Sequence, residues 1–306
     1  MLNLFFLLLF INNNILISRK GVSMDGILLV DKPKGITSRD VVNKVCKIFN
    51  TKKVGHTGTL DPLATGVLVL CIGKYTKLVD LITGYEKEYI ATVLIGVKTD
   101  TLDITGNIIS KKELLITKEK IEETLKSFLG KYKQEVPIYS AIKINGKKLY
   151  EYARNNEKVN LPKREVEIKS IELLNYNSKE ISFKVTVSKG TYIRSLINDI
   201  GNKLNTPMCM KELRRIRQGN FELKDCYTIK EIESNKYKLL DIKDILNYKI
   251  VKIDNENLKF KILNGSIIPN NYNEEIIMFE LNERIVAIYK IYDKNTKLMK
   301  PFKMFL

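Results

Sequence analysis

A chain of 306 residues with 44% hydrophobic content is long enough for one large domain or two smaller ones, each with a core. Its formal net charge of +17 favours a polyanionic partner, nucleic acid or an anionic membrane surface, although a lysine-, asparagine- and isoleucine-rich composition is also what an AT-rich genome produces. One histidine and four cysteines without a Cys-x-x-Cys spacing exclude a zinc set and suit a reducing compartment without disulfides, with Cys46 and Cys71 as buried small hydrophobes.

Residues 1–24 begin with an apolar run, Leu4 to Ile11, broken by Asn12 to Asn14. The run is too short to span a bilayer and lacks the basic start and cleavage site of a secretory signal. We read this segment as an over-extended reading frame before a start at Met24; the alternative is an organelle leader. A short buried strand is expected over residues 26–30. A helix follows over 37–49, capped by Thr37 or Ser38, with Val41, Val42, Val45 and Ile48 on one face.

Next comes the most informative stretch, Val54-Gly55-His56-Thr57-Gly58-Thr59-Leu60-Asp61-Pro62-Leu63-Ala64-Thr65-Gly66. Glycines permit close approaches that a side chain forbids, and Pro62 pushes Asp61 towards an extended conformation. An acid so placed, ahead of the apolar run Val67 to Ile72, suits a carboxylate fixed at the mouth of a sheet. It suits equally an Asp-Pro turn joining two elements.

Strands are expected over 67–72 and 88–97, and an amphipathic helix over 121–129. Asn145-Gly146 marks a hairpin over 138–150. Paired strands are expected over 165–174 and 181–189, a helix over 192–204, and a basic strand over 213–221. Residues 236–247 read as a connection. Residues 249–306 read as a small strand-rich unit with turns at Asn264-Gly265 and Asp293 to Thr296. Without strict strand–helix alternation, the fold class is α+β. Arginine is scarce, yet Arg194, Arg214, Arg215 and Arg217 fall close together. Its planar fork is hard to replace where phosphate or carboxylate is gripped bidentately; the alternative is an ordinary basic strand edge.

The Gly55 to Gly66 loop resembles the catalytic loop of TruB-type tRNA pseudouridine-55 synthases. Gly26-Ile-Leu-Leu-Val-Asp31-Lys-Pro-Lys-Gly35-Ile-Thr37-Ser38 resembles that family's opening motif. Lys87-Glu-Tyr89, Tyr139-Ser-Ala-Ile-Lys143, Gly146-Lys-Lys-Leu-Tyr150-Glu-Tyr-Ala-Arg154 and Ser188-Lys-Gly-Thr-Tyr192-Ile-Arg194 follow in the family's order. The resemblance implies a pseudouridine synthase fold, with a mixed, largely antiparallel central sheet flanked by helices and loops. It also implies a catalytic domain over 25–245, a thumb-like insertion near 137–161, and a C-terminal β-rich PUA-like RNA-binding domain over 246–306.

The implied reaction breaks the N1–C1′ bond of uridine 55 in the tRNA T loop, rotates the base and joins C5 to C1′. It needs no cofactor and no metal. By resemblance Asp61 is the catalytic nucleophile on a flipped-out uridine, and Arg194 is its ion-pair partner. Tyr89 lies against the base and takes part in catalysis. His56, Tyr192, Leu213, Lys77, Lys143, Lys147 and Lys148 contact the substrate. The implied partner is the tRNA T stem-loop, met by a monomeric, cytoplasmic protein with no membrane attachment. The competing reading is an RNA-binding protein whose catalytic loop is spent.

Overall fold

A computed structural model describes residues 24–112 and 115–306; the readings placed on residues 1–23 lie outside the described residues. The first strand, β1 (Gly26–Lys32), leads to α1 (Ser38–Ile48). Thr37 starts this helix with a reciprocal cap: its hydroxyl accepts the Asp40 N–H, and the Asp40 carboxylate accepts the Thr37 N–H. Val41, Val42 and Val45 bury against β1 and the next two strands, β2 (Val54–His56) and β3 (Thr65–Ile72). Leu68, Leu70 and Ile72 of β3 join the α1 cluster, whereas Val67, Val69 and Cys71 enter a second cluster. Burial on both faces is why this run is apolar throughout rather than alternating.

Helix α2 (Val79–Thr83) precedes β4 (Lys87–Ile95), in which Lys87, Tyr89, Ala91, Val93 and Ile95 are buried in alternation. The strand stops short of residue 97 because Gly96 turns the chain with φ +83. Beyond it, β5 (Val97–Thr99) and β6 (Ile108–Lys111) form a separate ribbon. The helix expected over 121–129 is α3 (Lys118–Lys126), displaced because Thr117 caps it by accepting the Lys120 N–H. It is followed by β7 (Gly130–Glu135) at a sheet edge.

The Asn145-Gly146 hairpin is present but much shorter than expected. Only β8 (Lys143–Ile144) and β9 (Lys147–Lys148) pair, around the positive φ values of Asn145 (50) and Gly146 (82). Leu149 and Tyr150 begin α4 (Leu149–Arg154) instead, where Glu151 accepts the Lys148 N–H and Leu149 is fully buried.

Then β10 (Lys163–Tyr176) and β11 (Glu180–Val187) pair antiparallel, as expected, and α5 (Ile193–Lys203) follows. The basic strand, β12 (Met208–Gln218), begins ahead of Leu213 with three buried residues, Met208, Cys209 and Met210, and β13 (Phe221–Glu222) folds back on its end. The sheet order is β1-β3-β12-β4-β11-β10-β7, with β2 on β3 and β13 on β12. Only the β3–β12 contact is parallel, so the sheet is mixed and largely antiparallel. β12 therefore lies at the centre, not at an edge. Helices α3 and α5 cover one face through Ile121, Leu125, Leu196, Ile197 and Ile200.

The expected connection contains α7 (Ile242–Ile245), preceded by α6 (Ile229–Glu233). The second sheet comprises β14 (Lys249–Lys252), β15 (Ile268–Pro269), β16 (Ile276–Leu281), β17 (Arg284–Tyr292) and β18 (Asn295–Met304), in the order β14-β16-β17-β18-β15. Asn264-Gly265 does not join two strands. It ends a helix, α8 (Glu256–Leu263), which Asn255 caps. The two sheets share a core: Met278, Ile285, Ile288 and Phe305 pack with Ile27, Val67, Val69 and Cys71. Phe305 meets Tyr75 edge-on, 5.6 Å between ring centres.

Candidate active site

The loop between β2 and β3 is held mainly by polar side chains that bind its backbone. The Ser38 hydroxyl accepts the Leu60 N–H (2.8 Å) and lies 3.1 Å from the Leu60 carbonyl. The Lys32 amine, fully buried, donates to the carbonyls of Ala64 (2.7 Å) and Pro33 (2.9 Å). Arg215, also fully buried, donates to the carbonyls of Val67 (2.6 Å) and Gly58 (3.0 Å). Gln218 donates to the Thr57 hydroxyl (2.8 Å). Gly66 has φ +100, and a Cβ there would lie 2.1 Å from the Arg215 carbonyl oxygen, so the approach of β3 to Arg215 requires a residue without a side chain at this position.

Within this frame the Ala64 N–H bonds the Asp61 carbonyl at 3.0 Å. The segment is thus an Asp-Pro turn and also the seat of an acid: both readings of the loop hold. Asp61 Oδ2 lies 2.9 Å from Arg194 Nε, and its side chain keeps 35% of its exposure, so a reactant can reach it. Arg194 comes from the first turn of α5. Its other nitrogens donate to the carbonyls of Thr101 (3.1 Å) and Tyr139 (3.0 Å), which fixes the guanidinium from three sides. The start of α5 is itself clamped by Gln134, which accepts the Tyr192 N–H (2.8 Å) and donates to the Tyr192 carbonyl (3.1 Å).

A cavity of about 250 Å³ opens in front of Asp61. Tyr89, Tyr192, Arg194 and Leu213 line it with Asp61, brought together from β4, the α5 N-terminus and β12. Burial raises the Tyr192 phenol above its ordinary range. Two lysines of the site are drawn the other way. Burial brings Lys32 down to about 8, against the opposing pull of Asp61. Burial, with Arg215 and Lys189 adding to it, brings Lys87 down to about 8.

The remaining expected contacts lie away from this cavity. His56, on β2, faces neither Asp61 nor Tyr89 across it; burial, then Arg39 and Arg215, holds its imidazole below the usual value, and Nδ1 is buried without a hydrogen bond. Lys77 turns to the second sheet, donating to the Met304 carbonyl at 2.7 Å. Lys143, Lys147 and Lys148 sit on the β8–β9 hairpin. There Lys147 pairs with Glu157 (2.5 Å) over the Tyr152 ring, and Lys148 and Arg154 flank Tyr150.

The arginine cluster grips groups of the protein itself: Arg194 holds Asp61, Arg214 holds Asp31 (2.8 Å), and Arg217 holds Glu88 (2.9 Å) and Glu86 (3.1 Å). Sequence reasoning missed Lys32, Ser38 and Lys87 as parts of the site. The available signal was a lysine closing one apolar strand and opening another, Lys32 at the end of β1 and Lys87 at the start of β4. Burial lifts the thiols of Cys71 and Cys226 to about 12 and of Cys209 to about 11, so all three stay protonated. Among the described residues no group of three or more His, Cys, Asp or Glu side chains is placed to hold a metal ion, and no helix is long and apolar enough to cross a membrane.

Residues 46–193 match the family model of the TruB family pseudouridylate synthase N-terminal domain, and residues 194–248 match that of the tRNA pseudouridylate synthase B C-terminal domain. The chain is 42% identical over 302 residues to a tRNA pseudouridine synthase B of Staphylococcus aureus, covering 92% of this chain and 99% of the relative. It is 40% identical over 297 residues to the protein of that name from Lactobacillus acidophilus, with the same two coverages. Among solved structures it is similar to a chain of a Cbf5-Nop10-Gar1 complex, with TM-score 0.67 and 25% identity, covering 92% of this chain and 85% of that one.

Proposed function

The chain belongs to the TruB family of pseudouridylate synthases, and on that premise we propose that it isomerises uridine to pseudouridine at position 55 in the T loop of tRNA, with Asp61 as nucleophile. The observation that carries the reading is the Asp61–Arg194 pair at a cavity walled by Tyr89, Tyr192 and Leu213. A carboxylate that attacks must be held in one orientation, and a guanidinium nitrogen 2.9 Å away does that. Arg194 is fixed by two backbone carbonyls as well, so it holds the acid in place rather than following it.

Asp61 sits in a recess of about 250 Å³, which a base reaches by leaving its stack. The target uridine is therefore flipped out, at a cost of a few kcal/mol that is smaller in a loop than in a duplex. Stacking on an aromatic ring returns about 1–3 kcal/mol per base, and Tyr89 is placed to provide it. Tyr192 and Leu213 close the remaining walls. His56 positions RNA beside the loop. Lys143, Lys147 and Lys148 grip phosphates from a thumb within residues 137–161, attached to a catalytic domain over 25–245. Lys77 and the PUA-like domain over 246–306 extend the RNA-binding surface.

Mapping pseudouridine in unmodified tRNA after incubation with the protein, beside Asp61→Asn, tests this reading. Modification at position 55 by the wild type alone is the expected result. Modification elsewhere, or equal modification by Asp61→Asn, overturns it.

A further inference from the structure

The cavity carries more positive charge than one aspartate calls for. Its walls hold Lys87, Arg194 and Arg215 against a single carboxylate, Asp61. Arg194 is matched by Asp61. Lys87 and Arg215 meet backbone carbonyls instead: Lys87 those of Thr83 (3.0 Å) and Tyr85 (2.7 Å), Arg215 those of Val67 and Gly58. Among the described residues neither forms an ion pair with a carboxylate, although Lys87 is only 7% exposed and Arg215 not at all. Burying a charge without a counter-ion is expensive, so two together at one cavity point to an anion that arrives from outside.

Their placement says where. Gly58 lies against both: a Cβ there would be 3.3 Å from Arg215 Nη1 and 3.3 Å from Lys87 Cε. On its other side the Arg215 guanidinium carbon is 6.0 Å from the centre of the Tyr89 ring. The two charges therefore sit behind the wall against which the uracil is read to lie, away from the sugar-facing Asp61–Arg194 pair.

We propose that Lys87 and Arg215 stabilise the uracil as an anion while it is detached from the ribose; this rests on reading the cavity as the uridine site. In a route that frees the base, an Asp61 carboxylate oxygen bonds C1′ as the N1–C1′ bond breaks with its electron pair remaining on the base. The negative charge spreads over N1, O2 and O4. C5 then gives an electron pair to C1′ as the Asp61–C1′ bond breaks and returns its pair to the carboxylate; the C5 proton leaves and N1 takes up a proton, so product and substrate hold the same atoms and charge and Asp61 is regenerated. Fixed positive charge close to a developing anion accelerates such a step strongly. The same charges keep the free base from escaping as it rotates.

The test is the single-turnover rate on a T-arm RNA at saturating enzyme, with RNA affinity measured in parallel. Lys87→Met lowers the rate on the order of 10²-fold, with RNA affinity within about twofold of wild type. Lys87→Arg restores most of the rate. The pH profile separates charge from packing. Lys87 faces Asp61, Tyr89 and Arg215 around the cavity, with Lys189 beside it, and its amine loses its proton as pH rises through about 8. The charged form is the active one, so the wild-type rate falls over that range, Lys87→Arg stays level, and Lys87→Met is low and level. A fall in Lys87→Arg as large as the wild type's belongs to another group, such as Lys32, and overturns the assignment. So does a wild-type rate in Lys87→Met. If Lys87→Met does not fold or bind RNA, the Lys87→Arg profile decides. Absence of pseudouridine from the wild-type reaction overturns the uridine-site reading itself.

Discussion

The Asp61 cavity and the hairpin over residues 143–148 are both built on basic residues, and they use them in opposite ways. Around the cavity Lys32, Lys87, Arg194 and Arg215 are buried and bound to carbonyls or to Asp61, so their positions are fixed before any ligand arrives. On the hairpin Lys143 is exposed, and Lys147 and Lys148 lie half-buried beside tyrosine rings. A buried cation acts at short range in a low dielectric and sets geometry. An exposed one is screened by salt and contributes through the counterions it displaces from a polyanion. The same residue type is thus locked in place at one site and open to salt at the other.

This contrast can be broken from the cavity side first. Asp61→Asn should reduce release of tritium from C5-labelled uridine in tRNA on the order of 10⁴-fold or more, while RNA binding persists. Turnover near the wild-type rate would remove Asp61 from the chemistry. Arg194→Met comes next: we expect a rate lower by about 10²–10³-fold and a loss of about 2 kcal/mol in denaturant unfolding, because the Thr101 and Tyr139 carbonyls lose their donor. A stability change without a rate change would make the arginine a packing device only.

On the hairpin side, replacing Lys147 and Lys148 with alanine should leave the single-turnover rate at saturation unchanged. The dependence of log affinity on log salt should flatten by about one unit for each phosphate that is no longer neutralised. An unaltered slope would take them out of the interface. The smallest effect belongs to His56→Ala, a few-fold loss of activity. Because the folded protein holds the imidazole below its ordinary value, His56 stays neutral near pH 7, and stability is lost as pH falls below the unfolded value of about 6.5. His56→Ala should remove that part of the acid sensitivity in a pH series of unfolding midpoints.

Local rules made much of the fold legible. Thr37 and Asp40 announce the start of α1, and the unbroken run from Val67 to Ile72 announces a strand covered on both faces. Where a neighbouring turn or cap overrode the pattern, the reading slipped: Thr117 starts α3 early, Glu151 converts half of a hairpin into α4, and Asn255 turns part of a strand-rich segment into α8. The position of Asp61 was legible because one motif holds the acid, its glycines and Pro62 together. Lys32 and Lys87 were not, because a lysine in sequence reads as surface. What buries each is a set of carbonyls contributed by tertiary structure. The clustered arginines were singled out for a bidentate grip, whereas in the structure Arg194, Arg214 and Arg217 each offer one nitrogen to a given carboxylate and Arg215 holds backbone carbonyls.

Phe305 has a consequence for how the molecule is made. It completes the cluster that covers Val67, Val69 and Cys71, yet it follows them by roughly 230 residues, a delay on the order of 10–50 s at ordinary translation speed. Throughout that interval this side of the first sheet lacks the part of its cover that Met278, Ile285, Ile288 and Phe305 supply. The nascent chain therefore has a defined window in which a chaperone that binds exposed apolar strands should be needed. That window closes when β18 docks and Lys77 reaches the Met304 carbonyl.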